Sequence, residues 1–112
     1  MSADAVHFDF ETGRPSMVAS SLRRRVSAYT RKDVVRRFKI GITNNPPTRF
    51  SNGYSADYDE MIVLYRSPSL DSVSQVERDL IDHNQEITKN RITGGGNYGG
   101  PPYYLYIVLR YK

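Results

Sequence analysis

A strand followed by a double-proline turn is the stretch of this chain best suited to a ligand site. Residues 38–43, Phe-Lys-Ile-Gly-Ile-Thr, alternate apolar and polar side chains, which predicts a strand with one buried and one polar face. Pro46 and Pro47 fit the first turn of a following helix, because the N–H group that proline lacks is unpaired there anyway. Arg49 then lies one turn into the helix and can lean back over the polar strand face. Gly41 leaves the backbone on that face open to a ligand.

Basic residues are concentrated just before this strand. Seven lie between positions 23 and 37, against the single acid Asp33. Apolar residues from Val18 to Tyr29 recur at steps of three and four, which predicts a helix with one apolar stripe. The basic residues of positions 23–32 occupy its opposite side, and Arg36 and Arg37 follow just before the strand. Such a surface could neutralise nucleic-acid phosphates or could be a solvated helix face; we favour phosphate contact. The predicted nucleic-acid-binding residues of this region are Arg23, Arg24, Arg31, Arg36 and Arg37.

A carboxylate on the second clear helix needs a partner. Val73, Val76 and Leu80 form the apolar stripe of that helix, and Glu77 lies along the edge of the stripe rather than out in solvent. Burying a carboxylate without a partner is costly. An ion pair with a nearby arginine such as Arg49 would satisfy it.

The strand and its turn resemble the GIY-YIG nuclease superfamily. In that family the second motif strand ends in Tyr-Ile-Gly, and an arginine follows eight residues after the glycine, on the next helix. Here Lys39, Ile40 and Gly41 occupy the motif, and Arg49 lies at that same spacing. Lysine replaces the motif tyrosine, as is familiar in the phage- and virus-associated branch of the family.

Two further segments carry the resemblance, which covers residues 38–106. Residues 76–81 resemble the family helix that bears the metal-binding glutamate, and the glycine-rich run beyond resembles the segment that follows this helix. In this branch an asparagine helps to complete the site, and Asn90 is preferred over Asn97 for that role. The alternative for the glycine-rich run is a flexible connector.

The resemblance implies metal-dependent hydrolysis of phosphodiester bonds in DNA. Glu77 would hold a divalent ion, Mg²⁺ or Mn²⁺, and Arg49 would hold non-bridging phosphate oxygens. A tyrosine, Tyr104 or Tyr106, would orient or deprotonate the water. Because a phenol ionises near pH 10, it needs nearby positive charge, which Lys39 would supply unless Lys39 is itself the base. All five residues are therefore predicted to be catalytic.

The first motif strand of the family, with Gly-Ile-Tyr, has no clear counterpart before the Lys-Ile-Gly strand. Either residues 26–30 form a poor strand with Tyr29 as the motif tyrosine, or the carboxy-terminal strand takes that place. We favour the second solution, since residues 104–108, Tyr-Leu-Tyr-Ile-Val, are better strand material than Val-Ser-Ala-Tyr-Thr. The predicted fold class is α+β, with a small, mainly antiparallel three-stranded sheet flanked by helices.

Length and composition set outer limits on the protein. The chain has 112 residues, a formal charge of +4 and no cysteine. We predict a flexible arm over residues 1–15, with a short edge strand as the alternative, and a single domain over residues 16–112. No apolar run could span a bilayer and no signal pattern is present, so we expect an intracellular protein, cytoplasmic or nuclear. Without thiolates, any metal ion would be a hard ion held by oxygen.

Two other function classes compete with a nuclease. One is a non-catalytic nucleic-acid-binding module that kept the nuclease fold, which the lysine in place of the motif tyrosine favours. The other is a protein-interaction domain with a basic surface, which predicts no salt-sensitive binding to DNA. The sequence leaves the oligomeric state open.

Overall fold

The computed structural model describes residues 5–83 and 99–112, which form one mixed sheet with helices. The elements, in chain order, are β1 (Val6–Glu11), α1 (Pro15–Thr30), β2 (Val35–Thr43), α2 (Pro46–Arg49), which continues as a π-helical turn (Phe50–Tyr54), β3 (Glu60–Ser67), α3 (Leu70–His83) and β4 (Tyr103–Tyr111). The predicted α+β class is confirmed. None of the helices in the described ranges has the length and hydropathy needed to cross a bilayer.

The carboxy-terminal strand lies inside the sheet. The strand order is β1-β3-β4-β2, with β4 antiparallel to both of its neighbours and β1 parallel to β3. Every side chain from Leu105 to Leu109 is buried, as a central strand covered on both faces requires. Tyr29 lies in the last turn of α1, so β4, and not residues 26–30, runs beside β2.

Strand β1 makes the sheet four-stranded and mixed, where we predicted three mainly antiparallel strands. It comes from the segment that we predicted as an arm, and its polar side is tied to other elements. Asp9 and Glu11 each place a carboxylate oxygen 3.3 Å from the Arg25 guanidinium of α1. His7 Nε2 lies 2.9 Å from Glu60 Oε1 on β3. These contacts order residues 6–11 as an edge strand, the alternative that the sequence also allowed.

The two faces of the sheet are covered differently. We call the side that packs against α1 and α3 the helix face, and the side that packs against α2 and its π-turn the open face. On β2, Phe38, Ile40 and Ile42 point to the helix face, whereas Lys39 and Gly41 point to the open face. The helix-face core also contains Leu22, Val26, Ile62, Leu64, Val73, Val76, Leu80, Leu105, Ile107 and Leu109. The open-face core is smaller and consists of Phe50, Tyr54, Met61, Val63, Tyr106 and Val108.

Candidate nucleic-acid interface

The open face is built around a close approach between two strands. Gly41 on β2 and Tyr106 on β4 are direct partners in the antiparallel ladder. A Cβ atom placed on Gly41 would lie 2.4 Å from the Tyr106 hydroxyl oxygen and 2.7 Å from its ring carbon Cζ. The phenol of Tyr106 therefore crosses β2 over the space that any other side chain would fill. Gly41, which we predicted to leave the backbone open to a ligand, admits a protein ring instead.

Substituting Gly41 should destabilise the fold measurably. We expect Gly41→Ala to cost about 1–3 kcal/mol, since the ring of Tyr106, which is 1% exposed, has no room to move aside. Gly53→Ala is the matched control, because nothing lies within 4 Å of a Cβ atom placed there. Urea unfolding of the two variants measures the difference, and equal stabilities would contradict the close approach.

The hydroxyl of Tyr106 links the strand to α2. It lies 2.7 Å from the Tyr54 hydroxyl and accepts a long hydrogen bond, 3.5 Å, from Nε of Arg49. The π-helical turn brings Arg49 and Tyr54 to the same phenol, with the Ser55 N–H donating to the Phe50 carbonyl at 2.8 Å. Arg49 is thereby held over the polar side of β2, as the sequence predicted.

Cations lie on the aromatic rings of this face. Arg49 Cζ is 5.5 Å and Lys39 Nζ is 5.9 Å from the ring centroid of Tyr54. Arg37 Cζ is 5.4 Å from the ring centroid of Tyr58, which packs edge-on against Tyr54. All three cationic side chains are exposed, and none forms an ion pair with a carboxylate in the described ranges. Their charge is therefore available to an anionic ligand.

The pKa of Tyr106 limits its use as a base. Burial raises the pKa of Tyr106 above that of a free phenol, and the neighbouring Tyr54 adds to this effect, while Arg49 opposes it. The hydrogen bond with Tyr106 is the main cause that raises the pKa of Arg49, so its guanidinium stays charged. Tyr106 is thus a neutral hydroxyl at pH 7 that can orient a ligand or a water molecule but is a poor base.

Tyr104 lies on the same side of β4 but makes different contacts. Its ring centroid is 6.1 Å from those of Phe8 and Phe10 on β1, both in edge-to-face geometry. Arg66 Cζ on β3 is 5.9 Å from the Tyr104 ring. Of the two tyrosines that we predicted as catalytic, Tyr106 is the one that meets Arg49.

Glu77 is not brought to this site. Its helix α3 packs on the helix face through Val73, Val76 and Leu80, whereas Arg49 lies on the open face. The carboxylate is 3% exposed and has no hydrogen bond or ion pair with a residue in the described ranges. Burial raises the pKa of Glu77 to about 7, and the charge that opposes this is that of Arg78 on the same helix. The predicted convergence of Glu77 with Arg49 is therefore not found, as a metal site or as an ion pair.

The described carboxylates and imidazoles form no metal cluster, and the predicted Mg²⁺ or Mn²⁺ ion stays a prediction. In residues 5–83 and 99–112, no group of three or more His, Asp or Glu side chains could hold one. Mg²⁺ retains several water molecules and needs octahedral space, which an almost fully buried Glu77 in an apolar stripe does not give.

The basic cluster before β2 is divided between surfaces. Arg23 donates to both carboxylate oxygens of Asp79, at 2.9 and 2.6 Å, and joins α1 to α3. Arg24 and Arg31 are exposed on and after α1, which covers the helix face. Arg37, by contrast, reaches the open face. Arg36 is also exposed and lies at an irregularity in register between Val35 and Arg37, so strand alternation does not assign it to a face; Asn90 lies outside the described residues.

Tyr54 and Arg66 belong to this face, although neither was among the predicted site residues. Tyr54 is the ring that Arg49 and Lys39 share, and only a glycine turn near it marked it in the sequence. Arg66 follows a shift in register between Val63 and Tyr65, which turns its side chain to the open face. The apolar run of residues 61–65 does not predict this shift in register.

No family model matches the chain, and no curated protein or solved structure matches it.

Proposed function

We propose that the chain binds nucleic acid, with DNA as the partner, by holding the sugar–phosphate backbone on its open face. One observation carries the proposal. Three exposed cations, Arg37, Lys39 and Arg49, lie side by side on buried or half-buried tyrosine rings and have no carboxylate partner among the described residues. Several cations grouped on adjoining rings of one face are suited to the repeating charge of a phosphate backbone.

The tyrosines restrict the motion of these cations. A guanidinium that lies on a ring keeps its N–H groups directed outward in its own plane, where they can bind two oxygens of one phosphate. Arg49 is further restrained by its hydrogen bond to Tyr106. Less side-chain entropy is then lost on binding than for a free surface arginine.

We also propose a GIY-YIG-like fold in which β4 stands in the place of the first motif strand. Its support is the position of Tyr106, directly across from Gly41 and bonded to Arg49. These three residues come from separate parts of the chain, and two of them fill motif positions of the family that the sequence resembles. The proposal predicts that nucleic acid lies on the polar side of the Lys-Ile-Gly strand.

Binding is tested by fluorescence anisotropy with a labelled DNA oligonucleotide in a chelating buffer. We expect the logarithm of the association constant to fall linearly with the logarithm of salt concentration, with a slope of about −2 if three phosphates of a single strand are contacted. Arg49→Gln should reduce the slope and the affinity together. Binding that ignores salt, or no binding at low salt, would contradict the proposal.

Phosphodiester hydrolysis is the second candidate function. It is favoured by the contact between Arg49 and Tyr106, which would place a guanidinium on the non-bridging oxygens and a neutral hydroxyl beside the attacked phosphorus. We expect nicking of supercoiled plasmid with Mg²⁺ or Mn²⁺ only if this candidate holds. Binding without nicking in parallel assays would leave the binding function alone.

A further inference from the structure

We infer that the open face takes a single-stranded stretch of DNA, which crosses the sheet: its unpaired bases stack on Phe8 and Phe10 of the edge strand β1, and its phosphates lie on the cations toward β2. This rests on the proposed function and names its ligand more narrowly. Among the described residues, Phe8 and Phe10 are exposed aromatic rings on the same face as the proposed phosphate-binding residues.

The two phenylalanine rings of β1 are exposed to solvent, whereas Tyr54 and Tyr106 on the same face are buried. Phe8 is 52% and Phe10 is 37% exposed, although both lie in a strand of the sheet. Tyr54 and Tyr106, at 7% and 1%, are enclosed and have no free ring face on which a base could stack. Exposing two phenylalanines on one side of an edge strand is unfavourable, so a ligand that covers them gains free energy.

The geometry around these rings suits a nucleotide. Phe8 and Phe10 both meet the half-exposed Tyr104 edge-on, with centroids 6.1 Å away, so their outer surfaces stay free for stacking. Arg66, which lies 5.9 Å from the Tyr104 ring, adds a cation at the same spot. Tyr104 and Tyr106 are next neighbours on one side of β4, about 7 Å apart along the strand, so the ring that Phe8 and Phe10 contact lies beside the residue that accepts the hydrogen bond from Arg49.

The exposed rings select for unpaired bases. In a duplex the flat faces of the bases are already stacked on each other, and a protein ring on a sheet cannot reach them. In a single strand every base has a free face, and stacking on an aromatic side chain stabilises the complex without regard to sequence. The positive charge next to the rings favours a polyanionic ligand over an uncharged apolar partner.

The test compares two labelled oligonucleotides of equal length and equal phosphate number, oligo-dT and its fully abasic counterpart. We expect oligo-dT to bind about tenfold more tightly at one salt concentration, because only it has bases to stack. The double variant Phe8→Leu/Phe10→Leu should lose this preference and bind both oligonucleotides as the parent binds the abasic one. Phe8→Tyr/Phe10→Tyr keeps an aromatic ring at both positions and should retain the preference for oligo-dT. This variant shows that a loss of preference in the leucine variant comes from the missing rings.

Met17→Ala/Val34→Ala is the matched control, since both side chains are exposed and apolar but lie outside the open face. It should keep the preference in full. The inference is overturned if the parent binds both oligonucleotides equally, or if sedimentation shows that the Phe→Leu variant loses self-association and not oligo-dT preference. If the parent binds oligo-dT and the abasic oligonucleotide equally and in a salt-sensitive way, the proposed binding to the phosphate backbone still holds. If it binds neither in a salt-sensitive way, the proposed function is wrong as well.

Discussion

Glu77→Gln is expected to stabilise the protein at pH 8 and to leave its stability almost unchanged at pH 4. The carboxylate is 3% exposed on the helix face, and burial raises its pKa from 4.5 to about 7. The folded state therefore binds a proton more tightly than the unfolded state. Stability falls as pH rises from the unfolded pKa through the folded one, and the loss is complete above about pH 7.

The expected size follows from the shift. The rise in the pKa of Glu77 from 4.5 to about 7 corresponds to a loss of about 3 kcal/mol in the unfolding free energy between low and high pH. Glutamine has no charge to bury, so the variant does not lose this stability. The variant and the parent should thus have similar unfolding free energies at pH 4 and diverge steadily up to pH 8. Glu77→Leu should behave in the same way, since the site lies in an apolar stripe.

Urea unfolding at pH 4, 6 and 8 measures this divergence, with Asp82→Asn as the control because Asp82 is an exposed acid of the same helix. Added Mg²⁺ is included as a further condition. If Glu77→Gln is less stable than the parent at pH 8, or if Mg²⁺ stabilises the parent and not the variant, the carboxylate has a cationic partner after all. The Mg²⁺-dependent outcome would support the predicted metal-ligand role of Glu77.

Removing the three cations of the open face is expected to have the largest effect on DNA binding. Arg37→Gln/Lys39→Gln/Arg49→Gln should weaken binding at least about a hundredfold, since hydrogen bonds to charged groups contribute roughly 1.5–3 kcal/mol each. The salt slope should fall by about 2 for a single strand. Tyr54 and Tyr58 keep their packing, so the fold should survive.

The control removes equal charge from the other side of the molecule. Arg24→Gln/Arg31→Gln/Lys32→Gln also takes the formal charge from +4 to +1, at exposed positions on or just after α1. We expect a small loss that disappears near physiological salt, as bulk charge is screened over about 8 Å. Equal losses in the two triple variants would mean that net charge, and not the open face, determines binding.

Much of the fold could be predicted because residue periodicity is a local property. The alternation over residues 38–43 and the stripe of Val73, Val76 and Leu80 determine β2 and α3, and the residues from Tyr104 to Val108 make a strand whatever surrounds them. Strand β1 was less certain, because it needs Arg25 and Glu60 from distant elements to hold its polar side.

The site was predicted in part, for a physical reason. Spacing placed Arg49 one turn after β2, and strand propensity placed the carboxy-terminal strand beside it, with Tyr104 or Tyr106 as the phenol. The structure puts Tyr106 across from Gly41 and in contact with Arg49. Which face each helix covers depends on the whole packing, and an apolar stripe that contains Glu77 does not say to which side of the sheet it will attach. Glu77 therefore ended on the helix face, away from Arg49.

The most direct test of the central claim is an amide chemical-shift titration of the protein with a short single-stranded oligonucleotide. We expect the largest shifts at Lys39, Gly41, Arg49, Tyr54 and Tyr106, with smaller shifts at Phe8 and Phe10, and almost none along α1. Shifts that follow α1 and leave the surroundings of Gly41 unchanged would contradict the claim that the open face binds the phosphate backbone.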